Sequence, residues 1–149
     1  MRKILAILLL IITIIGCSNS EELDVNPNLI IGKWKLESEF YTDGTSYSTD
    51  ECDRKSTFDF RANNTLDSKK FRMINGNCIL RNEERSYIEY KIENNNLEIN
   101  GTYIDAGKEI SFTTLNAIKF PDKNTLEIYF FDVNMNVFKH PSEIWKRID

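Results

Sequence analysis

The 149-residue sequence has little of what many functional sites require. It contains one histidine and three cysteines, and its 19 Lys and Arg residues are outnumbered by 23 Asp and Glu residues. An acidic chain without a basic stripe is a poor nucleic-acid binder, because phosphate contacts need clustered cations. A metal site built on histidine usually needs two or three of them. With 41% hydrophobic and 28% charged residues, the composition is otherwise that of an ordinary globular protein.

Long apolar runs are also scarce, and the longest one lies at the N-terminus. Ile4 to Ile15 follows Arg2 and Lys3 and contains a single polar residue. A membrane-spanning helix needs about 20 apolar residues, so this run is too short to span and matches the apolar region of a secretory signal peptide. It ends at Gly16-Cys17, which resembles a bacterial lipobox. The resemblance implies cleavage before the cysteine and acylation of it, and two or more acyl chains anchor a protein stably. The alternative is an ordinary signal peptide that is cleaved elsewhere.

The segment after the cysteine predicts a tether and a location. Ser18 to Asn28 is polar and acidic, as flexible linkers are. Ser20-Glu21-Glu22 partly resembles the surface-export signals of Gram-negative lipoproteins, which favours an outer-membrane lipoprotein of the cell envelope, on its periplasmic or its surface face. Removal of two cations with the signal peptide changes the net charge from −4 to −6. We therefore expect a signal peptide at 1–16, a lipidated cysteine and tether at 17–28, and one domain at 29–149.

The two remaining cysteines, Cys52 and Cys78, form an even pair. Disulfides persist in oxidising compartments, and the periplasm is one of them. A bridge closing a loop of this length stabilises a fold by roughly 3 kcal/mol in the chain-entropy model. The alternative is two reduced, buried thiols.

Apolar and polar residues alternate along several segments of the chain. Phe58 and Phe60 flank Asp59, for example, and Leu97 and Ile99 flank Glu98. This alternation predicts strands with one buried face, and the turns between them are short and rich in Asn and Gly. The predicted strands are 32–41, 55–62, 65–73, 85–92, 96–103, 108–120, 124–131 and 137–147. Such a series indicates an all-β fold, an up-and-down antiparallel barrel of about eight strands, because closure removes the sheet edges.

Several motifs in this order resemble those of short bacterial lipocalin-like lipoproteins, members of the calycin class. Gly32-Lys33-Trp34 opens the first strand with a Gly-x-Trp pattern, Tyr90-Lys91-Ile92 precedes an Asn turn, and Trp145-Lys146-Arg147 lies near the C-terminus. The resemblance covers roughly residues 29–149 and implies a lipocalin-like barrel. It also implies that Trp34 packs at the closed end of the barrel under Arg147, in a cation–π contact worth on the order of 1 kcal/mol.

The predicted inward face is the candidate binding site. An apolar lining with few polar groups suits a small hydrophobic or amphipathic ligand. The same side chains could instead fill the barrel, leaving a surface interaction module whose loops, Tyr41 to Asp53 and Asp132 to Asn136, contact a protein or a glycan. The residues predicted to line the interior are Leu36, Phe40, Phe58, Phe60, Ile88, Tyr90, Phe112, Ile128 and Phe130.

No pattern predicts an enzyme. His140, the only histidine, is accompanied by no nucleophile motif. The acid pairs Glu83-Glu84 and Asp50-Glu51 are chain neighbours, which point to opposite faces of a strand and are solvated in a loop. Asp132 to Asn136 has the alternate spacing of a calcium loop but lacks its glycine and its distal glutamate. We therefore expect binding without catalysis, cofactor or metal.

Overall fold

A computed structural model describes residues 26–81, 85–132 and 134–149. Short 3-10 turns span Pro27–Ile30 and Asp53–Lys55, and none of the helical segments in this part of the chain has the length and apolarity needed to cross a bilayer. The predicted signal peptide and Cys17 lie outside the described residues. The strands are β1 Gly32–Phe40, β2 Ser46–Tyr47, β3 Thr57–Phe60, β4 Leu66–Lys69, β5 Phe71–Ile74, β6 Asn77–Leu80, β7 Arg85–Glu93, β8 Asn96–Asp105, β9 Lys108–Asp122, β10 Thr125–Tyr129 and β11 Glu143–Arg147.

Eight of these strands form one antiparallel sheet in the order β4-β3-β1-β11-β10-β9-β8-β7, with β2 attached to β1. Neighbouring strands follow one another in the chain, and the first and last strands also pair, so the order is up-and-down as predicted. The two edges, β4 and β7, meet at an isolated bridge between Thr65 and Glu89. The Tyr90 N–H also donates to the Asn64 carbonyl at 2.9 Å. The sheet is therefore a nearly closed eight-stranded barrel, which confirms the predicted fold class.

The connection between β4 and β7 differs from the predicted single strand at 65–73. The chain leaves the barrel at Lys70, and β5 pairs with β6 in a separate two-stranded sheet. Its turn, Asn75-Gly76, has positive φ at both residues (50° and 77°), which is the geometry that Asn-Gly favours in a tight hairpin. Cys78 of β6 is bonded to Cys52, with a Cα–Cα distance of 5.4 Å. The predicted disulfide is thus present, and it ties this hairpin to the loop before β3.

The last strand is shorter than the predicted 137–147. It begins at Glu143, and the segment just before it has an isolated bridge between Phe131 and Val137 and single backbone hydrogen bonds instead of a continuous ladder. Pro141 lies between the two, and proline cannot donate to a strand ladder.

The end of the barrel at which the described chain enters is filled and covered, and we call it the closed end. Trp34 is fully buried there, and its Nε1 donates to the Ile30 carbonyl at 2.7 Å. The Arg147 guanidinium lies over the Trp34 ring, 4.3 Å from its centroid, and donates to the carbonyls of Ile31 and Leu29. A Cβ at Gly32, where φ is +127°, would collide with the same guanidinium, so the close approach explains the glycine of the Gly-x-Trp pattern.

A cavity at the open end of the barrel

The opposite end, which we call the open end, is formed by the β1–β3, β4–β7, β8–β9 and β10–β11 connections. A cavity of about 490 Å³ occupies the barrel interior on this side. Its volume lies within the range of small-molecule sites, about 300–1,000 Å³. The residues that line it are Phe58, Leu66, Ser68, Lys70, Ile99, Phe112, Thr114, Leu115, Asn116, Ile128, Phe130, Phe131 and Glu143. The barrel is therefore hollow at one end and filled at the other.

The residues predicted to line the interior divide into three groups. Those that line the cavity are Phe58, Phe112, Ile128 and Phe130, with Phe130 40% exposed at the mouth. Those that are buried in the packed core and do not reach the cavity are Leu36, Phe60, Ile88 and Tyr90. Phe40 belongs to neither group.

A β-bulge explains the position of Phe40. The pairing of β1 with β11 shifts between Leu36 and Ser38, so that Glu39 lies opposite Glu143. An extra residue in a strand reverses which side chains face inward. Glu39 is accordingly buried and Phe40 is half-buried, against the prediction that Phe40 points into the barrel.

One wall of the cavity carries an ion pair. Lys70 Nζ lies 2.9 Å from Glu143 Oε1, and Trp145 Nε1 donates to Glu143 Oε2 at 2.9 Å. Lys70 Nζ also lies 5.4 Å from the centroid of the Phe58 ring. Glu143 is only 5% exposed, and a buried carboxylate without partners would cost several kcal/mol. Lys70 and Trp145 give each Glu143 oxygen a partner, so this cost does not arise. The cavity thus combines apolar walls with one polar corner.

A second cluster of charges stands beside this corner. The Arg72 guanidinium donates to both Glu39 oxygens at 2.6 Å and lies 3.0 Å from Asp53 Oδ1. These hydrogen bonds raise the pKa of Arg72 further above its ordinary value, with Glu39 the largest cause. Lys70 and Arg72, at the start of the β5–β6 hairpin, thus neutralise buried carboxylates on β11 and β1. Residues at the start of a hairpin outside the barrel thus pair with carboxylates that face its interior.

The sequence offered a signal for one of the polar cavity residues. Trp145 is buried, and a period of two places Glu143 on the same inward face. The charged Glu143 at an inward position of this strand therefore indicates a polar patch within the barrel. For Lys70 there was no such signal, because the predicted strand continued through it.

The residues considered for catalysis or metal binding have other roles where they are described. Asp132 Oδ1 accepts from the N–H groups of Asn134 (2.7 Å) and Asn136 (2.9 Å), which lowers the pKa of Asp132 and closes a tight turn. His140 lies against Gly44 in the open-end loops. Glu83-Glu84 lies outside the described residues. No cluster of three or more His, Cys, Asp or Glu side chains suited to a metal ion occurs within the described ranges.

A family model for the lipocalin-like domain matches residues 30–136. The match spans more than two thirds of the chain, from the 3-10 turn at the closed end to the open-end loop after β10. Neither the curated proteins nor the solved structures provide a match.

Proposed function

Because the chain belongs to the lipocalin-like domain family, we propose that it binds a small hydrophobic or amphipathic molecule in the open-end cavity, without catalysis. The cavity of about 490 Å³ is the observation that carries this proposal. A barrel filled from end to end would serve only as a scaffold for its loops, so the cavity favours ligand binding over the surface interaction module.

The two kinds of wall give the ligand an orientation. An apolar part packs against Phe58, Phe112 and Ile128, and burial of apolar area supplies about 25 cal/mol per Å². A polar group lies toward Lys70 and Glu143, where a few convergent polar side chains fix orientation rather than supply most of the affinity.

Two adjacent threonines allow a matched test. Thr114 lines the cavity, whereas Thr113 donates to Asn100 on the outer face of the same strand. A fluorescent fatty acid is titrated into the wild type, Thr114→Phe and Thr113→Phe, followed by displacement with unlabelled fatty acids, retinoids and haem. We expect Thr114→Phe to weaken binding at least tenfold, or about 1.4 kcal/mol, and Thr113→Phe to leave it unchanged. Equal affinities in the two variants would place the ligand elsewhere, and no binding by the wild type would refute the proposal.

We further propose that the protein is held in the cell envelope by lipid on Cys17. The support is the sequence alone, namely a short apolar run that ends at a lipobox-like cysteine. In bacterial cells fed an alkyne-labelled fatty acid, the wild type should incorporate label and sediment with membranes. Cys17→Ser should do neither, and labelling that persists in this variant would contradict the assignment.

A further inference from the structure

The β5–β6 hairpin differs in charge from the rest of the protein. Residues 68–82 contain Lys69, Lys70, Arg72 and Arg81 and no acidic residue, in a chain whose net charge is −4. Lys70 and Arg72 face the carboxylates of the barrel. Lys69 and Arg81 are exposed at the base of the hairpin, and neither pairs with a carboxylate among the described residues. Two exposed cations, Lys69 and Arg81, therefore flank the base of this hairpin.

The tip of the same hairpin is apolar and exposed. Met73, Ile74 and Ile79 are 46%, 42% and 41% exposed, and the disulfide at Cys78 holds the hairpin to the barrel. Lys69 lies five residues before Ile74, and Arg81 lies four residues after Asn77, which pairs with Ile74, so the strands advance by about 13–17 Å between the cations and the tip. The hairpin thus places large apolar side chains at its tip, and cations about 13–17 Å behind it along the strands.

This order matches the layers of a membrane surface. Apolar faces of interfacial elements enter the boundary between headgroups and acyl chains to about 5–10 Å, and basic side chains remain at the headgroups. Each Lys or Arg near an anionic surface strengthens binding about fivefold. We propose that the β5–β6 hairpin inserts its tip into an anionic lipid surface, with Lys69 and Arg81 against the headgroups. Lys70 lines the cavity and directly precedes the hairpin. Insertion of the hairpin tip into the lipid would therefore bring the mouth of the cavity close to the lipid surface.

The two native tryptophans are fully buried, so a new surface tryptophan can report on its own surroundings. Ile74→Trp places one at the hairpin tip, and Ile148→Trp is the control, because Ile148 is 52% exposed and follows β11 at the closed end. The full chain carrying either change is reconstituted with vesicles of phosphatidylcholine alone or with 30% phosphatidylglycerol. The readouts are the emission wavelength and quenching by brominated acyl chains.

We expect a blue shift and quenching for Ile74→Trp in the phosphatidylglycerol vesicles. Adding Lys69→Gln and Arg81→Gln to this variant should remove at least half of the shift. Ile148→Trp should show no shift. Equal shifts at both positions would mean that the N-terminus alone brings the protein to the lipid, which overturns the proposal. An equal shift in neutral vesicles overturns it too. Absence of any shift excludes the lipid surface and leaves a protein partner for the hairpin. None of these results depends on whether the cavity binds a ligand.

Discussion

At the closed end of the barrel the interior is filled by large rings, whereas at the open end the same strands surround a cavity of about 490 Å³. The inward positions of β1 and β3 at the closed end are occupied by Trp34 and Phe60, both fully buried. Toward the open end, β4 and β11 turn Ser68 and Glu143 inward instead. The difference shows that one strand pattern can build a packed core and a cavity, because the size and polarity of the inward side chains change along the barrel.

The largest effect should come from the closed end. Trp34→Ala removes a fully buried ring that contacts Phe120 and Arg147, and we expect a loss of about 3–5 kcal/mol in the free energy of unfolding. Phe112→Ala is the open-end counterpart, and it should cost about 1 kcal/mol or less, since its half-buried ring faces a cavity. Urea denaturation measures both. Similar losses in the two variants would contradict the contrast between a filled and a hollow end.

Removal of the disulfide should come next and should affect the open end most. With a sequence separation of 26, the Cys52–Cys78 bridge contributes roughly 3 kcal/mol in the chain-entropy model. The double change Cys52→Ser and Cys78→Ser also frees the hairpin whose cations neutralise Glu39 and Glu143. We expect lower stability by urea denaturation and weaker binding of the fluorescent fatty acid. Unchanged binding with reduced stability would show that the cavity does not need the hairpin.

Substitution of two arginines should change the free energy of unfolding by intermediate amounts. Arg147 is mostly buried, stacks on Trp34 and donates to several carbonyls at the closed end, so Arg147→Lys should cost about 1–2 kcal/mol. Arg72 is 32% exposed, and solvent screens its ion pairs, so Arg72→Lys should cost about 1 kcal/mol or less. Thermal and urea unfolding would rank the two variants. The opposite ranking would mean that the polar wall, rather than the closed end, limits stability.

The smallest effects should come from two exposed carboxyls in turns. Hydrogen bonds from Asn124 and Thr125 lower the pKa of Asp122 at the end of β9, and those from Asn136 lower the pKa of Asp132 in an open-end loop. A lowered pKa in the fold contributes stability above the unfolded value of about 4, and that stability disappears as the pH falls through the lower folded value. Asp122→Asn should therefore lower the Tm at pH 7, with the gap closing below pH 4.

Asp132→Asn is the matched open-end variant, and it should change the Tm less than Asp122→Asn does. Its turn lies in a loop, and loops can open locally without unfolding the barrel. A Tm gap for Asp122→Asn that is the same at pH 7 and pH 2 would exclude the carboxylate charge as its cause.

The alternation of apolar residues was sufficient to predict the number and order of the eight strands that form the barrel, because each of them has one buried face. It could not predict the bulge between Leu36 and Ser38, since a bulge depends on how β1 pairs with β11. For the same reason the burial of Glu39 was missed. The β5–β6 hairpin was hidden because its residues alternate like any strand. The contact that Arg72 of this hairpin makes with Glu39 joins residues 33 positions apart in the chain, so no local pattern could reveal it.

The pairing of β1 with β11 has a mechanical consequence. Pro27 to Ile30 lies against the closed end, and the Lys33 N–H donates to the Asp149 carboxylate at 2.9 Å, so the two ends of the described chain are held together. A pull on the segment before Pro27 is therefore resisted by the ladders that join β1 to β3 and β11, whose hydrogen bonds share the load. The sparse contact between β4 and β7 lies outside that path. Separation of β4 from β7 would therefore leave the ladders that join β1 to β3 and β11 unbroken.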